Sequence, residues 1–261
     1  MVLLFFLISF GASIIGAICG IGGGVIIKPV LDAFQVQSVS AISFLSGITV
    51  LSMSLYSVGK AKLSEDNAIR KNIATPLAVG AAVGGILGKA MFEQISGLFS
   101  DKEMIGGIQA ACLLIITIGT LIYTLKKSSI KTKKYEHPLF CIITGIVLGL
   151  LSSFLGIGGG PINLVVLYYF FSMETKEAAQ NSLYIILFSQ ITSFLKTLAT
   201  GSIPEFELPF LVVMIFGGIL GAIAGRSINR RIDSRVVDHL FILLMLIIIC
   251  INLFNIYQFV I

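Results

Sequence analysis

What constrains this chain most is a succession of apolar runs, each long enough to cross a lipid bilayer and following one another with short interruptions. They lie near residues 2–19, 38–58, 73–95, 104–125, 138–155, 177–200, 206–225 and 236–260. A spanning helix needs about 17–25 predominantly apolar residues, and most of these runs carry few charges or none. With a mean hydropathy of +1.01 and 12% charged residues, a soluble domain of this length would expose more apolar surface than water tolerates. The runs also lack the apolar/polar alternation of barrel strands. They are read as helices, and the chain as an all-α, polytopic membrane protein.

Residues 2–19 are expected to be a retained span rather than a removable signal peptide, because no basic residue precedes the run and no A-x-A site follows it. The four cysteines, Cys19, Cys112, Cys141 and Cys250, are scattered through predicted helices without C-x-x-C spacing, so they read as small hydrophobes. A net charge of +5 does not point to nucleic acid here. The basic residues are confined to short loops beside the spans, where they orient a membrane protein.

The sequence repeats itself. "GIGGGVIIKPVL" at 20–31 returns as "GIGGGPINLVVL" at 156–167, offset by 136, and "GGILG" at 84–88 returns at 217–221, offset by 133, with Pro76 and Pro209 at that same offset. Between these anchors "AISF" (41–44) aligns with "QNSL" (180–183), pairing Ser43 with Ser182. The first repeat is therefore assigned to residues 1–127, a basic linker to 128–137 and the second repeat to 138–261. Each half reads as a glycine-interrupted hairpin followed by three transmembrane helices.

Loop charges decide how the halves are oriented. If the glycine-interrupted segment made one net crossing, Lys60, Lys62, Arg70, Lys71 and the five lysines between 126 and 134 would face six basic residues on the other side. If it returns to its own side, the count becomes fourteen against one, Lys102 standing alone. The positive-inside rule selects the second arrangement. The basic loops are then cytoplasmic, both termini extracytoplasmic, and the halves inverted copies, an architecture of secondary transporters. The short second limbs, 25–35 and 161–171, favour re-entry. Full crossing of the hairpins stays open at this stage.

Backbone that turns inside a membrane must be buried in protein or line a cavity. Glycine supplies the turn and allows close approach, and a helix restarts directly after each GIGGG, with Pro161 suited to a first helical turn. Free N–H groups and the positive end of a helix dipole then point from each tip, which suits an anion. Gly22, Gly23, Gly24, Gly158, Gly159, Gly160 and Pro161 are therefore candidate solute contacts. Tight packing alone is the competing reading, and it is preferred for Gly80, Gly84, Gly88, Gly217, Gly221 and Gly225, which recur every four residues.

Lys28 is an ionisable residue inside a span and is expected to face a cavity or a partner. Two readings stand beside each other: a structural pair with Asp32 one turn on, and attraction of an anionic solute. Lys196 is read the same way. Ser43, Asn163, Asn181, Ser182 and Gln190 complete the candidate substrate-binding set, supplying neutral hydrogen-bonding groups near the hairpins.

Taken together, "GIGGGVIIKPVL", "GIGGGPIN…NSLYIILFSQ" and the duplicated "PLAVGAAVGGILG" resemble the sulfite-exporter (TauE/SafE) family of membrane transporters across nearly the whole chain. The resemblance implies a multi-pass carrier of the bacterial inner membrane for small anions such as sulfur oxyanions or organosulfonates. Where the family commonly has G-T-S after the first hairpin this chain has Ala41, Ile42 and Ser43, with Gln180, Asn181 and Ser182 in the second copy. An enzyme is not expected: His137 and His239 are the only histidines, and no H-E-x-x-H, G-x-S-x-G or paired aspartates occur within spans. No His, Cys or carboxylate cluster has metal-ligand spacing, so no metal or cofactor is expected. The partners implied are a small anionic solute and the bilayer, and a homo-oligomer is compatible with these features. A membrane scaffold or a carrier of other organic anions is the alternative.

Overall fold

A computed structural model describes residues 1–64, 68–99 and 104–260. Lys102, the lone basic residue of the opposite face in the charge count, lies outside them. The described residues form ten α-helices and no strand: α1 (Val2–Cys19), α2 (Gly24–Phe34), α3 (Val39–Lys62), α4 (Lys71–Leu98), α5 (Met104–Lys126), α6 (Pro138–Phe154), α7 (Pro161–Phe171), α8 (Thr175–Thr200), α9 (Leu208–Arg231) and α10 (Ser234–Val260). Seven of them are long and apolar enough to cross a membrane; α6 is slightly shorter at 17 residues. The 11 residues of α2 and of α7 rise only about 16 Å, roughly half a bilayer core.

Helix boundaries follow local chemistry. Ser38 caps α3 by accepting from Ala41 N–H at 3.2 Å. A capping box, Glu174 with Glu177, starts α8. Helices α2 and α7 end on Gln35 and Ser172, the only non-glycine residues with positive φ among those described, at 50° and 49°. They stand at matching positions in the two halves, so even this uncommon conformation is duplicated.

The packing repeats as well. Helix α4 lies along α6, and α9 lies along α1, in near-backbone contact. Cβ atoms at Gly80, Gly84 and Gly88 would run into the carbonyls of Ile142, Ile146 and Leu150, while Cβ atoms at Gly217, Gly221 and Gly225 would meet the backbone at Phe6, Phe10 and Ile14. Small residues every fourth position let helices approach closely where lipid offers no hydrophobic drive. Equivalent glycines are thus 137 residues apart, not 133. Likewise Gly20 abuts Ala179 as Gly156 abuts Ser43, which keeps an offset of 136 and makes Ser46, not Ser43, the counterpart of Ser182. Both string alignments were displaced by about one helical turn, because a pattern recurring every four residues matches itself after such a slide.

The hairpins open at opposite ends of the bundle. At one end Phe5 of α1 stacks on Phe210 of α9 at 4.2 Å, and Phe206 meets Phe44 of α3. The end of α2 and the end of α10 line one hollow there, through Gln35 and Gln258. At the other end Lys133 N–H donates to Tyr169 O and Tyr135 N–H to Phe170 O, binding the 130–137 segment to the end of α7. Lys127 pairs with Asp238 at 2.6 Å and Arg70 with Glu177 at that end. The described basic loop residues gather at this second end. Outward-facing positions such as Leu7, Val83, Ile115, Phe216 and Leu246 are exposed and apolar, as a lipid-facing surface requires.

Candidate functional site

Both glycine tips descend to the middle of the bundle and meet. Gly22 (φ 77°) and Gly158 (φ 69°) occupy the left-handed region that favours glycine. A Cβ on Gly22 would sit 3.9 Å from Gly158 O, one on Gly159 2.8 Å from Ile21 O, and one on Gly24 would collide with the carbonyl of Ile157. Two flanking side chains touch both tips: Val50, midway along α3, and Ile186, midway along α8. Gly22, Gly23, Gly24, Gly158, Gly159, Gly160 and Pro161 are all buried. At this level the glycines allow backbone to lie on backbone, and the tips pack against each other. Gly23 N–H donates to Met53 Sδ at 3.2 Å, a weak acceptor.

Around this junction stand three buried hydroxyls with no hydrogen-bond partner among the described residues, Ser13, Ser43 and Ser46, and Ser182 of α8 is likewise buried and unpartnered. Ser13 lies beside Gly23, Ser46 beside Gly24 and Ser43 beside Gly156. Buried polar atoms are nearly always paired, so three unpaired hydroxyls around one junction mark it as polar and incompletely satisfied.

Close to the tips a small hollow, with a cavity volume of about 40 Å³, lies at the end that holds the starts of α1 and α3. Ser43, Gly156 and Gln190 line it, joined by Ser152, Ser153 and Lys89. Gln190 Nε2 donates weakly to Ser152 Oγ at 3.5 Å, and Ser153 shares a hydrogen with Ser189 at 3.3 Å. Lys89 is the decisive residue. It is 9% exposed, and among the described residues its ammonium has no ion pair or hydrogen bond, only the Phe92 ring at 5.1 Å. The neighbouring carboxylate, Glu93, is occupied by Lys196 at 2.5 Å and by Ser202 at 2.7 Å.

The remaining predicted residues sit elsewhere. Lys28 pairs with Asp32 at 2.5 Å within α2, both buried, away from the hollow. Asn163 faces a small crevice beside Gly159 and Gly160. Asn181 is fully used: its Oδ1 accepts from Arg70 N–H, and its Nδ2 donates to Ala68 O and Glu177 O, pinning residues 68–70 to α8. Sequence reasoning missed Lys89, Ser152 and Ser153. A readable signal for Lys89 was present, a lysine inside "GGILGKAMFE" with Glu93 one turn on.

Apolar helices crossing a bilayer, two broken segments meeting at mid-depth and a polar hollow beside them define a polytopic membrane transporter. The family model described as "Sulfite exporter TauE/SafE" matches residues 5–252, and the chain belongs to that family. It is 25% identical over 231 residues to a probable membrane transporter protein of Haemophilus influenzae, covering 84% of this chain and 83% of that one. A probable membrane transporter protein of Methanocaldococcus jannaschii is 24% identical over 251 residues, covering 89% and 88%. The probable membrane transporter protein MamO of Magnetospirillum gryphiswaldense is 21% identical over 265 residues, 90% of this chain, which spans 42% of MamO. No solved structure matches the chain significantly.

Proposed function

We propose that the protein exports small anions, sulfur oxyanions or organosulfonates foremost, across a bacterial inner membrane by alternating access between two inverted halves. The carrying observation is Lys89, a buried cation with no counter-charge in contact among the described residues, facing a hollow lined with hydroxyls. A charge withdrawn from water costs several kcal/mol unless compensated, and an incoming oxyanion compensates it while accepting from Ser43, Ser152 and Ser153. The closed tips separate this hollow from the opposite end, and the unpartnered hydroxyls of Ser13, Ser46 and Ser182 supply donors when the halves move apart. The gathering of basic loops at the other end supports a cytoplasmic assignment for that end and an extracytoplasmic one for the hollow and both termini.

The test is efflux of sulfite and of methanesulfonate from proteoliposomes. Lys89→Ala is expected to lower the rate about 10- to 100-fold, the worth of one charge-assisted contact, with Lys89→Arg partly active. Wild-type rates in folded Lys89→Ala would overturn the reading and favour a membrane scaffold.

A further inference from the structure

The segment between the two repeats carries charge that the hollow beside Lys89 does not use. Lys126, Lys131, Lys133 and Lys134 are exposed, and among the described residues no carboxylate pairs with any of them, whereas Lys127 is bound to Asp238. Glu136 is the one acid of the segment; Glu174, at the start of α8, is engaged in its capping box. The flanks set the depth. Ile122 and Leu125 on α5, with Leu139 and Ile143 on α6, are exposed and apolar, and the lysines begin where these lipid-facing positions stop, at headgroup level. The segment is also held in place. Besides its backbone bonds to Tyr169 and Phe170, Lys133 O accepts from Ser172 Oγ at 2.8 Å, Thr132 Oγ1 lies 2.7 Å from that same hydroxyl, and Lys133 Nζ stands over the rings of Tyr135 and Tyr169 at 5.4 and 5.8 Å. Beside it is a hollow with a cavity volume of about 380 Å³, lined by Tyr123, Lys127, Thr132, Ser172, Thr175 and Ser234 among others. Tyr123 Oη is buried and has no hydrogen-bond partner among the described residues.

We infer that this strap and its hollow bind the headgroup of an anionic phospholipid of the phosphatidylglycerol type. Lysines at headgroup depth attract anionic lipid, each adding to the affinity, and their ammonium groups make charge-assisted hydrogen bonds to the phosphate. The glycerol end meets the hydroxyls of the hollow, Tyr123 Oη included, and the acyl chains lie along Ile122, Leu125 and Leu139. Phosphatidylcholine carries the same phosphate but adds a quaternary ammonium, which has no hydrogen to donate and which the lysines repel. Because the strap is bonded to the end of α7, the bound lipid braces the base of the second hairpin. The inference requires only that the chain spans a bilayer; it is independent of the solute carried and of the direction of transport.

Native mass spectrometry of the full-length protein released from a neutral detergent measures the affinity, with dioctanoyl phosphatidylglycerol and dioctanoyl phosphatidylcholine titrated separately. The anionic lipid is expected to bind at least tenfold more tightly. Replacing Lys131, Lys133 and Lys134 together by glutamine should weaken its binding about 10- to 100-fold, and Tyr123→Phe about 3- to 10-fold. A control variant with Lys60, Lys62 and Lys71 replaced by glutamine removes the same charge from the same end of the bundle, at exposed positions, and should stay within twofold of wild type. Inorganic phosphate and glycerol 1-phosphate, each in tenfold excess over the lipid, should not displace it. Equal binding of the two lipids, or equal loss in the two triple variants, overturns the inference in favour of diffuse surface charge. Displacement by either free phosphate overturns the lipid assignment, and unchanged binding in Tyr123→Phe removes the hollow from the site. Circular dichroism of each variant checks that its helices are intact.

Discussion

The buried Lys28–Asp32 pair offers a measurement that decides between its two readings. The charges are 2.5 Å apart, with side chains 3% and 5% exposed, and Asp32 Oδ1 has no partner among the described residues. Water therefore contributes almost nothing to their stability, and each charge depends on the other. Asp32→Leu leaves an uncompensated ammonium, as Lys28→Met leaves a carboxylate, and either change should destabilise by about 3–5 kcal/mol. At the scaling of proteins near this size, that lowers the midpoint of thermal unfolding by roughly 6–20 °C. The double variant Lys28→Met with Asp32→Leu removes both charges while keeping comparable volume, and it should lie within about 1 kcal/mol of wild type or above it. Thermal unfolding of the four proteins in one detergent closes the cycle, and efflux from proteoliposomes supplies the second axis. A stable double variant with normal efflux identifies a structural pair. A stable double variant without efflux assigns Lys28 to the solute path. If the double loses as much stability as the two singles summed, the pair is not a coupled buried ion pair and the electrostatic reasoning fails.

Further outcomes follow from the packing. Gly84→Val should abolish folded protein in a detergent size-exclusion profile, since a Cβ there meets the carbonyl of Ile146; Gly11→Ala, with nothing within 4 Å of its Cβ, should be silent in that assay. Asn181→Ala removes the two hydrogen bonds that hold residues 68–70 and should speed proteolysis in that loop several-fold, with efflux reduced less than by Lys89→Ala; unchanged cleavage would refute the tether. Because carboxylates are scarce along the spans, efflux should be indifferent to an imposed proton gradient, and acceleration by one would show coupling.

Helical class, hairpin limits and the duplication were legible in the sequence because they rest on short-range properties: apolar run length, three glycines in a row, proline at a helix start. The limbs predicted at 25–35 and 161–171 are helices at Gly24–Phe34 and Pro161–Phe171. Register was less legible, since a small residue every fourth position aligns equally well after sliding one turn. Polar residues could be listed but not aimed. Asn181 and Gln190 are alike in composition, yet Asn181 is bound by Arg70 and Ala68 from a remote loop, while Gln190 reaches a hollow. Lys89 was obscured by the glycines around it, whose packing role against α6 was the stronger pattern.

The junction itself makes one more demand. Each tip closes on the same two side chains, Val50 and Ile186, which are themselves 136 residues apart in the duplicated frame and less than 2% exposed. A Cβ at Gly158 would sit 2.8 Å from Val50 Cβ, and Ile186 Cδ1 lies 3.7 Å from a Cβ at Gly22. If these are the stops against which the hairpins seat, trimming them lowers the barrier to passage without touching any charged group. Val50→Ala and Ile186→Ala should cost about 1 and 2–5 kcal/mol of stability respectively, and the double variant, if folded, should pass anions faster than wild type while keeping its dependence on Lys89. Proteoliposomes loaded with methanesulfonate measure the rate, and the triple variant carrying Lys89→Ala measures the dependence. A folded double variant with unchanged or slower efflux would mean that the tips are not the closed gate, and that the solute passes between α3 and α8 by some other route.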